Sequence, residues 1–140
     1  MITDGLDAKD GETYEADICV VGAGAAGLTL ALELAQQGLE VVLVESGGLE
    51  WRKRSHKLLD VELSGRSTKS LVKHTRERFF GGTTNHWGGS IRTLSAFEFE
   101  AHSWVPNSGW PITRSDLSPY YILAAQLLGL PEVDRPYDAV

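Results

Sequence analysis

The sequence predicts an α/β fold built on a parallel sheet, and three observations carry that expectation. A continuous apolar run, Ile18-Cys19-Val20-Val21, reads as a strand covered on both faces. A glycine-rich hexapeptide, Gly22-Ala23-Gly24-Ala25-Ala26-Gly27, follows it directly, and apolar residues then recur at helical spacing at Leu28, Ala31, Leu32 and Ala35. A second apolar run, Val41-Val42-Leu43-Val44, completes the pattern, so residues 17–45 read as one βαβ unit with a right-handed crossover.

Residues 1–16 are rich in acids and lack periodicity, which predicts a flexible arm ahead of the first strand. Cys19, inside that strand, is expected to pack. The helix is expected to run from Leu28 to Gln37 and to stop at Gly38, which can take the left-handed conformation that closes a helix. Residues 49–78 show only weak helical or loop character around a basic cluster at Arg52, Lys53, Arg54 and Lys57. Arg78-Phe79-Phe80 then lead into a second glycine-rich loop, Gly81-Gly82-Thr83-Thr84-Asn85-His86-Trp87-Gly88-Gly89. Further on, Trp110-Pro111 ends an extended segment, and Thr113 with Asp116 has capping-box spacing. The main body of the last helix is expected to start at Ser118, with Pro119 in its first turn, and to end at Gly129.

Composition narrows the function. A single cysteine among 140 residues excludes an internal disulfide and a multi-cysteine metal site. The formal charge is −6, although residues 52–78 hold nine of the 13 Lys and Arg. That basic stretch reads as a solvated face or a local neutraliser of phosphate, and no nucleic-acid motif accompanies it, so nucleic acid is not expected as a partner. The acidic N-terminus lacks the positive and apolar regions of a secretory signal. The longest uncharged run, Ile18 to Leu32, falls short of the roughly 20 apolar residues that cross a bilayer. No membrane segment and a cytoplasmic location are therefore expected. His56, His74 and His102 stand without a second ligand at metal spacing, and no metal is assigned. Trp104, Trp110, Tyr120 and Tyr121 are read as packing residues of a core or domain junction.

The hexapeptide carries the chemistry. Its first glycine, Gly22, permits the tight turn out of the strand; Gly24 lets backbone N–H groups approach a pyrophosphate; Gly27 lets helix and strand pack closely. Ala23, Ala25 and Ala26 complete the turn, and the diphosphate is expected at the helix N-terminus, where unpaired amides and the positive dipole end favour an anion. Glu45 lies 18 residues beyond Gly27, close to the offset of about 20 at which an acid binds a ribose diol. A carboxylate there repels a 2′-phosphate, so NADP is disfavoured while FAD and NAD stay open. Ser46, next in the chain, is a candidate contact for the adenosine half.

Taken with this fingerprint, the second glycine-rich loop and the later Gly109-Trp110-Pro111-Ile112-Thr113, Asp116-Leu117 and Pro119-Tyr120-Tyr121 resemble the glucose-methanol-choline (GMC) oxidoreductases. The nearest branch is that of sugar and gluconate dehydrogenases and pyranose oxidase. The resemblance spans roughly residues 15–131 and implies a Rossmann-like FAD-binding domain, with FAD chosen over NAD. It further implies cofactor contacts from Gly81, Gly82, Thr83, Asn85 and His86, with His86 either a covalent anchor of the flavin or a noncovalent contact.

By the same resemblance, the expected reaction is oxidation of a CH–OH group of a sugar, polyol or other small alcohol, with hydride passing to flavin N5. The family's catalytic histidine comes from a block that none of these residues matches, so no catalytic residue is assigned. Because the chain stops at Val140 without a closing element, residues 17–140 are read as the N-terminal portion of a longer FAD-binding domain. Such a chain is expected to show no alcohol-oxidising turnover by itself. Two alternatives stand beside this reading: a stand-alone flavin or nucleotide-binding module without catalysis, and another flavoenzyme class such as an amine oxidase or hydroxylase.

Overall fold

In a computed structural model, described over residues 1–61, 75–88 and 91–130, the chain divides into two compact units, Met1–Trp87 and Gly88–Val140. The first unit contains β1 (Ile18–Val21), α1 (Ala25–Gln36), β2 (Val41–Val44) and the short helix α2 (Lys53–His56). Single 3-10 turns follow at Lys57–Leu59 and Gly82–Asn85. The two strands pair in parallel, Ile18 opposite Val41 and Val21 opposite Val44, so the βαβ unit and the α/β class read from the sequence are present.

The helix starts three residues before its expected position. Gly24 stands at its N-cap in an extended conformation, and Ala25 and Ala26, good helix formers, continue directly into the first turn. Gly38, at φ +88°, supplies the expected stop. The helix lies close to the strand because Gly27 has no side chain: a Cβ there would come within 1.9 Å of the Gly22 carbonyl oxygen. That contact fixes the rotation of α1, which half-buries Leu28, Ala31 and Leu34 and leaves Leu32 and Ala35 exposed.

The strands differ from the expectation of burial on both faces. Val20 and Ala23 form the core of this unit, whereas Cys19 is exposed and Val21 is 83% exposed. Among the described residues the sheet has two strands, with α1 packed against them, and the face that carries Cys19 and Val21 is open. Cys19 therefore does not take the packing role assigned to it.

The second unit holds a 3-10 turn at Ala96–Phe99 and the helix α3 (Arg114–Leu127). Ser95 and Glu98 form a capping box at the turn, and Glu98 also accepts from Arg92 at 2.7 Å. Phe99 and Ala125 are buried, and the Tyr121 hydroxyl accepts the Leu94 amide hydrogen at 3.4 Å. The capping box of Thr113 and Asp116 opens α3 itself, four residues ahead of the Ser118 start read from the proline. Pro119 is therefore the sixth residue of α3 and not in its first turn, so it removes the backbone bond to the Ser115 carbonyl and its ring crowds that group. Trp104 and Trp110 are exposed, against the packing role given them, and His102 stacks on Trp104 at 4.8 Å. No described helix is long and apolar enough to cross a membrane.

Candidate functional site

Three glycine turns distant in sequence meet at the C-terminal ends of β1 and β2. The Gly81 amide donates to the Ala23 carbonyl at 2.8 Å, and Gly24 and Gly81 form a parallel bridge. The Phe80 amide donates to the Gly48 carbonyl at 2.9 Å, which draws the turn after β2 onto the same segment. Gly47 permits this approach, since a Cβ there would lie 2.1 Å from the Arg78 carbonyl oxygen. The hexapeptide and the second glycine-rich loop, read separately in the sequence, are thus one structure. Gly47, which belongs to no motif singled out in the sequence, is the residue that joins them.

Glu45 ties the arrangement together. Its carboxylate accepts the Ala23 amide at 2.8 Å through Oε2, and the Gly47 amide at 2.9 Å and the Ser46 hydroxyl at 3.2 Å through Oε1. Burial pushes the Glu45 carboxyl up, but the amides of Ala23 and Gly47 and the Ser46 hydroxyl outweigh it and hold the group below the usual carboxylate range. The charge is therefore kept. Beside it opens a cleft of about 660 Å³, lined by Ala23, Leu43, Glu45, Gly47 and Arg52 and walled by Met1 to Gly5. Asp4 and Arg52 approach to 4.0 Å across its edge.

The N-terminus of α1 faces this junction without a side-chain cap and without an acid in its first turn. Its unpaired amides and positive dipole end are suited to a diphosphate. Gly24 leaves open space, with nothing within 4 Å of the position a Cβ would take. The donor set and the glycine cradle thus fit a dinucleotide.

In the second turn, Gly81 takes a left-handed conformation at φ +88° and Gly82 is buried. Thr84 Oγ1 donates to the Gly81 carbonyl, and Asn85 Nδ2 donates to the carbonyls of Phe80 and Gly82, each at 2.9 Å. Asn85 therefore shapes the turn with its own amide. Thr83 Oγ1 accepts the Glu77 amide hydrogen at 3.4 Å. His86 is exposed, and its Nε2 lies 2.9 Å from the Glu77 carboxylate, a partner the sequence reading did not foresee. His56 is not solitary either: its Nδ1 lies 3.7 Å from the other oxygen of Glu77. The signal for Glu77 was faint, an isolated acid within the basic stretch. Gly89 and His74 lie outside the described residues.

The family described as FAD dependent oxidoreductase (DAO) matches residues 17–95, which takes in both glycine turns and Glu45. The chain belongs to the FAD-dependent oxidoreductase family. Its cofactor is FAD, and the βαβ unit is the start of a Rossmann-like FAD-binding segment. The chain is 33% identical over 135 residues to 6′′′-hydroxyparomomycin C oxidase of Streptomyces lividus, an alignment covering 86% of this chain and 24% of that protein. It is 30% identical over 142 residues to paromamine 6′-oxidase of Streptomyces fradiae, covering 91% of this chain and 25% of the relative. The chain spans about a quarter of the length of these curated relatives.

The match corrects the resemblance to GMC oxidoreductases drawn from the sequence, and with it the expectation of an incomplete GMC fold. The glycine fingerprint and the acid after β2 serve any protein that lays a dinucleotide along a βαβ unit, so they do not separate one flavoprotein family from another. The Gly109-Trp110-Pro111 block that contributed to the resemblance lies beyond the matched residues. The covalent role considered for His86 came from that resemblance and loses its support with it.

Proposed function

We propose that this protein binds FAD across the junction of its glycine turns and belongs to an enzyme that oxidises a hydroxyl-bearing carbon of a sugar or amino sugar. The observation that carries the cofactor half is the hydrogen bond from Gly81 to Ala23, which puts the second glycine turn beside the uncapped N-terminus of α1. On this reading Gly22, Ala23, Gly24, Ala25, Ala26 and Gly27 border the diphosphate, with the N-terminal amides of α1 as donors. Glu45 accepts from the ribose diol, with Ser46 beside it, and Gly81, Gly82, Thr83, Asn85 and His86 flank the rest of the cofactor. When bound, FAD supplies the acceptor for the hydride removed from the carbon. The chain's own part is to hold that cofactor, keep its diphosphate neutralised and fix its orientation.

The substrate half rests on the names of the two relatives, oxidases of 6′′′-hydroxyparomomycin C and of paromamine at its 6′ position. Both names point to amino-sugar compounds, and one names a hydroxyl group. The test uses the protein purified with its cofactor from its own source. Released flavin is identified by chromatography, and paromamine and simple hydroxylated sugars are then supplied under air. FAD together with a carbonyl product and retained amino groups supports the proposal. FAD without turnover replaces it with a cofactor-binding module, and release of ammonia replaces it with amine oxidation.

A further inference from the structure

Glu77 is a buried acid beside the second glycine turn whose carboxylate is only half satisfied. Its side chain is 6% exposed, yet it carries a carboxylate between two imidazoles. Oε1 receives His86 Nε2 at 2.9 Å, within hydrogen-bond range. Oε2 faces His56 Nδ1 at 3.7 Å, too far for a bond, and both of these buried atoms lack a hydrogen-bond partner. The rings of Trp51 and His56 are in tilted contact, with centroids 5.6 Å apart. Among the described residues no group of three or more His, Cys, Asp or Glu is placed to hold a metal ion. A buried carboxylate with one oxygen unsatisfied is costly, and a cheaper residue would serve if packing were its task.

We propose that Glu77 is a positioning residue for the cofactor, acting through His86. A carboxylate accepts only, so the bond at 2.9 Å requires a hydrogen on Nε2, and in the neutral tautomer that carries it the lone pair is on Nδ1. His86 Nδ1 makes no hydrogen bond to the described residues and is the acceptor offered to a hydroxyl or N–H donor of bound FAD. Glu77 is fastened to the same turn a second time, through its amide and Thr83 Oγ1. Ring and turn are thereby fixed together, as a partner behind a metal-bound histidine fixes that ring. This inference rests on the reading that the second glycine turn borders FAD.

The test measures the FAD dissociation constant and the visible flavin spectrum of the full protein for Glu77→Met, Glu77→Gln, His86→Phe and the pair Glu77→Met with His86→Phe. Histidine ¹⁵N spectra of the wild-type holoprotein are recorded alongside. Glu77→Met and His86→Phe are each expected to weaken FAD at least tenfold and to shift the flavin bands. Glu77→Gln, which keeps an acceptor for Nε2–H, is expected to stay within about threefold, and the double variant to match His86→Phe alone. Additive losses in the double variant, or a His86 ring carrying its hydrogen on Nδ1, overturn the proposal. Should Glu77→Met fail to fold, His86→Phe at its exposed position still decides, because unchanged FAD binding there leaves Glu77 nothing to act through. A wild-type protein that holds no FAD would instead be a failure of the cofactor reading.

Discussion

The carboxylate of Glu45 accepts the amide hydrogen of Ala23 at 2.8 Å, so the end of β2 is bonded to the turn that leaves β1. Glu45→Gln turns one of two accepting oxygens into a donor that faces the Ala23 or Gly47 amide. Charge-assisted bonds of this kind contribute about 2 kcal/mol, so a loss of that order is expected in urea unfolding. The FAD dissociation constant should rise roughly tenfold, which corresponds to about 1.4 kcal/mol. Fluorescence titration with FAD measures the second quantity independently of the first.

The same carboxyl gives the fold a dependence on acid. Its folded-state pKa lies below the ordinary 4.5, so its contribution is present in full above that value and is lost as pH falls toward and through the folded value. Urea midpoints of the wild type should therefore drop more steeply below pH 4.5 than those of Glu45→Gln, while the two curves run parallel near neutrality. Parallel curves throughout would remove Glu45 from the account.

Glycine substitutions separate folding from cofactor binding. Gly27→Ala places a methyl 1.9 Å from the Gly22 carbonyl oxygen, and Gly47→Ala places one 2.1 Å from that of Arg78. Backbone must shift in both, at a cost on the order of 1–3 kcal/mol, visible as a lower thermal midpoint. Gly24→Ala meets nothing within 4 Å and should fold as well as the wild type. Its methyl nevertheless enters the space proposed for the diphosphate, so FAD retention should fall at least tenfold.

In the second unit, Thr113 caps α3 and shares a reciprocal box with Asp116. The Thr113 amide and hydroxyl both donate to the Asp116 carboxylate, at 2.8 and 2.7 Å, and hold its pKa below the usual range. Thr113→Ala should cost about 1 kcal/mol of unfolding free energy. A loss near zero would mean that α3 starts at Ser118, as its proline alone suggests.

Local chemistry was legible in the sequence wherever it is set by neighbours along the chain. The Ile18 and Val41 strand runs, the stop at Gly38 and the box of Thr113 with Asp116 all follow from spacing and propensity, and all are present. The start of α1 was missed because Gly24 to Gly27 read as a loop, when only Gly22 to Gly24 form one. Contacts across the chain were not legible. Nothing in the order of residues says that Glu77 will be buried between His56 and His86, or that Gly47 must lie against Arg78. The family was misread for a related reason: the residues that bind a dinucleotide answer to its shape, which many flavoproteins share.

Beside the carboxylate bonds of Glu45, two of the bonds that join the three turns run from backbone to backbone, from Gly81 to Ala23 and from Phe80 to Gly48. Side-chain identity therefore cannot break them, and the substitution they do forbid is proline, at 80 or 81, where the donor hydrogen would vanish. Position 80 should tolerate most other replacements, since the Phe80 ring is itself partly open to solvent. A saturation library across these turns would then show an uneven pattern: intolerance at the glycines of close approach, a proline-only gap at position 80, and side-chain selectivity at Asn85 and His86.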